Sequence, residues 1–196
     1  MSLFPRALAP IFIWLLCVIV PTGAVAGTRT GGTAYEEEPP PPPMLEPGLW
    51  TGPEVPGTKA VLLADGTAAA PADAPANVQN AIWAANTLQK LPYRYGGGHK
   101  SFISRRGYDC SGTVSFALNA AGLLKRPLDS GSFMRWGKKG PGTWFTVYTN
   151  PGHAYAVIAG LLLDTSSAGS GGGSGPRWRA KGRPSAGYKI RHPRGF

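Results

Sequence analysis

Cys110 stands between Asp109 and Ser111, ahead of Val114, Ala117, Leu118 and Ala121 at helical spacing. Asp109 is placed to cap that helix and Gly122 to end it, so Cys110 falls in its first turn. The exposed amides of a helix start favour a thiolate, and a thiol whose pKa falls from about 8.5 toward neutrality becomes a useful nucleophile. Such a nucleophile needs a base to take its proton and a third group to hold the base in the right tautomer.

Three histidines could serve as the base. His99 lies in a loop beside Gly96, Gly97 and Gly98, His192 follows the last strand-like segment, and His153 opens an apolar run just after Pro151 and Gly152. A strand start can aim a ring at a helix N-terminus while the strand behind it stays rigid. Taken alone, a histidine at such a place is more often a plain surface or strand-edge residue. Asp164 closes the same run, and a hairpin turning at Gly160 would bring it back beside His153. A carboxylate there would hydrogen-bond the imidazole and stabilise its charged form. The bland alternative is that Asp164, followed by Thr165 and Ser166, caps a turn.

The elements that must position these groups are legible as patterns. Val78, Ala81, Ile82, Ala85 and Leu88 predict an amphipathic helix over 76–90, ending before Pro92. Thr143–Thr149, His153–Leu163 and Tyr188–Arg191 are rich in β-branched and aromatic residues and read as three strands. Ser166–Gly175 is nearly all Ser and Gly and reads as a flexible surface loop.

Arg6, an apolar run from Ala7 to Val20 and small residues ending at Ala26 have the layout of a secretory signal peptide over residues 1–26. The run is shorter than the roughly 20 residues of a membrane span and meets Pro21, so no transmembrane helix is expected in the mature chain; an uncleaved anchor is the alternative. Cys17 leaves with the signal peptide. Cys110 is then the single thiol of an exported chain, either a buried small hydrophobe or a reactive group.

Residues 27–74 are mostly Gly, Thr, Glu, Pro and Ala, with Glu36–Glu38 running into Pro39–Pro43, and read as a disordered, polyproline-like tether. A partner docking on the proline run is the functional alternative. The folded domain is then expected over 75–196, with one modest core. Charge divides along the chain: residues 27–73 hold seven acidic and two basic groups, net −5, whereas 74–196 hold three acidic and seventeen basic, net +14. A basic domain suits nucleic acid, an acidic membrane surface or the anionic polymers of a cell envelope. Export argues for the envelope and against nucleic acid. Three separated histidines without a Cys pair do not make a metal-ligand set of the usual spacing, so neither metal nor other cofactor is expected.

Taken in order, Leu91-Pro92-Tyr93-Arg94-Tyr95-Gly96-Gly97, Tyr108-Asp109-Cys110-Ser111-Gly112 and Gly152-His153 before an apolar strand resemble the NlpC/P60 family. Its members carry a Pro-Tyr-x-aromatic-Gly-Gly segment, an Asp-Cys-Ser-Gly segment opening a helix, and a His opening a strand. The resemblance covers about residues 78–166. It implies a papain-like α+β core, with N-terminal helices packed on a small antiparallel sheet. It also implies Cys110 as nucleophile, His153 as base, and a third polar residue orienting His153. Tyr93 matches the family's tyrosine beside the nucleophile, which would place a hydroxyl near the substrate or the oxyanion; the Cys110 amide is the other natural oxyanion donor. Ser111 matches the motif as well, either at the substrate or in support of the helix start.

The sequence departs from the family in three places. The third position is His in most members and Asn or Gln in some; here the nearest match is Asp164, one residue early, which leaves Thr165 open. The usual Pro-Gly-Asp segment is replaced by Gly140-Pro141-Gly142-Thr143-Trp144, and a segment from Gly175 to Arg179 with a basic end is added. Arg177, Arg179, Lys181 and Arg183 suit the carboxylates of stem peptides or anionic wall polymers, or form a solvated tail. The activity implied is an exported cysteine endopeptidase, periplasmic or associated with the cell wall. It would cut peptidoglycan stem peptides, commonly between D-glutamate and the following diamino acid. The competing readings are an envelope-binding protein that uses the same cleft without cutting, and an acyltransferase on a related fold.

Overall fold

The computed structural model describes residues 50–166 and 175–196, and the signal-peptide layout, residues 27–49 of the expected tether and positions 167–174 of the Ser/Gly loop lie outside the described residues. Helix α1 (Ala76–Asn86) buries Val78, Ala81, Ile82 and Ala85 completely, and Leu88 is buried in the turn that follows. It stops four residues short of the expected end, and a run of turns carries the chain to Pro92.

Helix α2 (Cys110–Ala120) starts where the sequence places it. The Asp109 carboxylate accepts the Gly112 amide at 2.7 Å, satisfying a first-turn donor that has no partner within the helix. Gly122 ends it in the left-handed region at φ 70°, with the Gly122 and Leu123 amides returning to the Asn119 and Leu118 carbonyls. Ten of its eleven residues are buried, because α1 covers one side and the large sheet the other. A one-turn helix, α3 (Ser130–Phe133), follows, capped by Asp129.

The large sheet is antiparallel throughout, in the order β4 (Lys138–Lys139), β9 (Lys189–His192), β5 (Phe145–Asn150), β6 (His153–Ile158), β7 (Leu161–Asp164) and β8 (Arg177–Arg179). The apolar run from His153 is two strands, not one, turning at Ala159 and Gly160. Both have positive φ, 46° and 85°, the conformation of a two-residue hairpin turn whose twist suits the flanking strands. Ala159 is held there on both sides: its amide donates to the Trp144 carbonyl at 2.7 Å, and its carbonyl accepts from the Ala60 amide at 2.9 Å. Strands β4 and β8 were not expected from the sequence.

The tether expected to reach residue 74 ends earlier. From Trp50 onward the chain is folded, with β1 (Glu54–Val55) parallel and β2 (Val61–Leu62) antiparallel to β3 (Ala68–Pro71) in a second, three-stranded sheet. Despite its composition this stretch folds, because it does not need a core of its own. Ala68, Ala69 and Ala70 are fully buried, small enough for a strand to lie close on α1, and Trp50 packs edge-on to Phe116 with ring centroids 6.1 Å apart. Polar side chains of α1 finish the contact. Asn86 bonds both the amide and the carbonyl of Ala68, at 2.8 and 2.9 Å, as a neighbouring strand would, and Trp83 donates to the Pro53 carbonyl at 3.0 Å. The described residues thus form a mixed α+β structure with two sheets, and no helix among them is long and apolar enough to cross a membrane.

Candidate active site

Cys110 occupies the first position of α2, 8% exposed, and the glycines on either side of its helix turn explain how it is held. A Cβ on Gly112 would overlap the carbonyl oxygen of Gly97, and one on Gly97 would overlap that of Gly107. The segment 94–98 and the start of α2 therefore lie backbone against backbone, an approach open to glycine alone. Asp109 locks the same junction: beyond capping α2, its carboxylate accepts the Gly96 amide at 3.0 Å and pairs with His99 Nε2 at 2.9 Å.

His153 is set by the preceding turn. Asn150 Oδ1 accepts the amides of Gly152 at 3.0 Å and His153 at 2.8 Å, so the tight Pro151-Gly152 connection delivers His153 as the first residue of β6. Its Nε2 lies 2.9 Å from Asp164 Oδ1. With Nε2–H donating to the carboxylate, Nδ1 is the nitrogen left for the Cys110 thiol. Register explains the Asp164 contact. Ala156 pairs with Leu163, so one step further along the hairpin Asp164 falls opposite Tyr155, on the face that carries His153 two residues away. Thr165, the alternative, has the opposite parity and is buried. Asp164 also caps its own turn, accepting the Thr165 and Ser166 amides at 2.7 and 3.2 Å. The two uses posed as alternatives by the sequence coexist.

Burial opposes charge on all three groups, and their mutual contacts outweigh it. The Cys110 thiol would be pushed up by burial, but hydrogen bonds from His153 and the Ala154 amide bring it below its ordinary value. His153, which burial alone would lower, is raised to about 9 by hydrogen bonds with Asp164 and Cys110. Asp164 is driven well below the ordinary carboxylate range, despite burial, by His153 and Ser166. Thiol down and imidazole up is the direction of a thiolate–imidazolium pair at neutral pH.

The remaining expected residues separate. Tyr93 is 39% exposed beside the thiol, its phenol raised by burial and by the nearby Cys110 and Asp109 charges. Ser111 is buried, and its hydroxyl lies 3.2 Å from Asp109 Oδ1, to which it donates, and 3.1 Å from His99 Nε2. Ser111 therefore supports the helix start, one of the two places its motif leaves open. Arg183, expected among carboxylate-binding or solvated cations, instead bonds Asp164 Oδ2 at 2.7 Å. His99 was weighed only as a base and not as the partner of Asp109, and Asn150 and this use of Arg183 were missed. An Asn two residues before Gly152 is a turn signal that could have been read, whereas nothing local marks Arg183, nineteen residues beyond Asp164. No protein-family model matches this chain, and no curated protein matches it.

Proposed function

We propose that this chain is an exported cysteine endopeptidase of the NlpC/P60 type, with a papain-like core, that hydrolyses amide bonds in the stem peptides of bacterial peptidoglycan. The observation that carries the reading is the three-part line Cys110, His153, Asp164, on the start of α2 and on two adjacent strands of one hairpin. The motif order around Tyr93, Cys110 and His153 supports the family. The net +14 of residues 74–196 supports an anionic polymer as the setting of the substrate.

In the reaction, the Cys110 thiolate attacks the amide carbon, and the oxyanion forms near the Cys110 amide and the Tyr93 hydroxyl. His153, protonated on both ring nitrogens, gives its Nδ1 proton to the leaving amine. The neutral ring then takes a proton from water, whose oxygen attacks the thioester and releases Cys110. Asp164 keeps the ring oriented through both steps.

The test is digestion of purified peptidoglycan by the full chain, wild type beside Cys110→Ser and His153→Ala, with released muropeptides read by mass spectrometry. Release by wild type and by neither variant is expected, and the fragment masses then name the bond. A wild-type protein that sediments with the wall material but releases nothing would replace the peptidase reading with an envelope-binding one.

A further inference from the structure

Between β8 and β9 the chain turns back and brings Arg183 onto the face of the sheet that carries His153 and Tyr155. Arg183 Nη1 lies 2.7 Å from Asp164 Oδ2, 3.0 Å from Ser166 Oγ and 3.2 Å from His153 Nε2. Its guanidinium carbon stands 5.1 Å from the centre of the Tyr155 ring and 5.6 Å from that of Tyr188. Tyr155 is itself stacked on Tyr148, with centroids 4.7 Å apart and rings nearly parallel.

We propose that Arg183 is a positioning residue for the His153–Asp164 pair, fixing Asp164 through its second oxygen and offsetting part of its charge so that His153 is oriented yet remains a competent acid. The inference rests on the Cys110–His153 reading of the site.

Asp164 is 2% exposed, and its amide and hydroxyl donors, from Thr165 and Ser166, come from its own turn. Those donors travel with Asp164 and cannot fix it in space. Arg183 belongs to a different segment and bonds the oxygen that His153 does not use, so it holds the carboxylate plane against the ring. The guanidinium in turn rests against the rings of Tyr155 and Tyr188, which themselves meet edge-to-face at 5.0 Å, a cation–aromatic contact that helps hold it.

Charge gives the second half. The titratable groups facing His153 are Cys110 from α2, Asp164 from β7, Arg183 and Tyr188 from the segment leading into β9, and Tyr155 on its own strand with Tyr148 of β5 behind it. Of these, Arg183 is the cation. A carboxylate and a thiolate without it would bind the imidazolium proton more tightly, and transfer to a leaving amine would slow. A like charge at this distance shifts a titration by 1–3 units, and with Arg183 partly open to solvent about one unit is expected.

The experiment is an NMR titration of the His153 ring in the full chain, assigned against His153→Ala, for wild type, Arg183→Met, Arg183→Gln and Arg183→Lys. Loss of the cation in Arg183→Met and Arg183→Gln is expected to move the His153 titration up by about one unit, and Arg183→Lys is expected to restore most of the shift. Gln keeps a donor for Asp164, so the inference does not depend on the Met variant folding. A His153 titration unmoved in whichever of these two variants folds overturns the proposal, as does a Lys variant that titrates like Met. Neither readout requires peptide cleavage, so the outcome is separate from whether wild type releases muropeptides.

Discussion

Replacing Asp164 with Asn exchanges one carboxylate oxygen for an amide nitrogen in a side chain that makes five of the site's hydrogen-bond contacts and is 2% exposed. The amide oxygen can still accept Nε2–H, but the new NH2 then faces Arg183 Nη1, donor against donor, where an ion pair stood at 2.7 Å. Flipping the amide relieves Arg183 and sets NH2 against His153 instead. A carboxylate in direct contact shifts an imidazole by 1–3 units; with Asp164 buried, about two units is appropriate, equivalent to about 3 kcal/mol less stabilisation of the imidazolium. His153 is therefore expected to titrate near 7 instead of about 9. The thiolate loses its partner, and the pH of half-maximal alkylation of Cys110 by iodoacetamide rises toward that of an ordinary thiol. Breaking a buried pair costs 3–5 kcal/mol, discounted here to about 2 because Arg183 is partly solvated, or a melting temperature lower by roughly 6–8 °C. NMR of the His153 ring and alkylation against pH are the assays. A His153 titration that stays near 9 in Asp164→Asn would refute the assignment of Asp164 as the group that charges the ring.

Gly112→Ala places a methyl on the Gly97 carbonyl, which only backbone movement can relieve; a loss of about 3 kcal/mol is expected in denaturant unfolding, with Cys110 losing its low-pH alkylation. Ala159→Gly removes a Cβ at φ 46° and should stabilise by about 1 kcal/mol, seen as a slightly higher melting temperature with activity unchanged. Tyr93→Phe should lower turnover on peptidoglycan by about 10²-fold while Cys110 alkylates as in wild type, since the hydroxyl is assigned to the oxyanion and not to the thiol. Deleting the chain through residue 74 exposes α1 where Ala68–Ala70 cover it and Phe116 of α2 where Trp50 does, and limited proteolysis should cut the shortened protein faster than one beginning before Trp50.

The parts of this molecule that could be read from sequence are those fixed by neighbours in the chain. Asp109, Cys110 and Gly122 mark a helix because caps and apolar spacing act over a few residues, and the fall of Asp164 beside His153 follows from one hairpin with alternating faces. The misreadings are long-range. Ala68–Pro71 carries no strand signal of its own and becomes one by pairing with β1 and β2 and lying on α1, where Asn86 bonds both backbone groups of Ala68. Trp178 donates its ring NH to Asn86 at 2.8 Å and its amide to the Gln89 side chain, so β8 is set by its ladder to β7 and by residues far earlier in the chain and not by its own composition. Which of its two possible places Ser111 takes is set by Asp109 and by His99, a residue the sequence presents only as one candidate base among three.

The same distinction bears on the third position of the site. On the proposed NlpC/P60 reading this place is filled in relatives by His, Asn or Gln, side chains that can orient an imidazole without a full negative charge. A bare Asp164 would lack the partner that fixes its plane against the ring and would hold the His153 proton more firmly. Arg183 changes that balance: with Nη1 on Oδ2, the carboxylate and guanidinium together present His153 with an acceptor whose net charge is near zero, closer to an amide than to a free carboxylate. The departure at residue 164 and the added basic segment at the chain's end are then one change and not two. It follows that Asp164→Asn combined with Arg183→Met should titrate His153 closer to wild type than Asp164→Asn alone, because the pair is removed as a neutral unit. The single shifts, about two units down for Asp164→Asn and about one unit up for Arg183→Met, sum to about one unit down, so a double variant that titrates no closer to wild type than Asp164→Asn would show that Arg183 has no effect on His153 of its own.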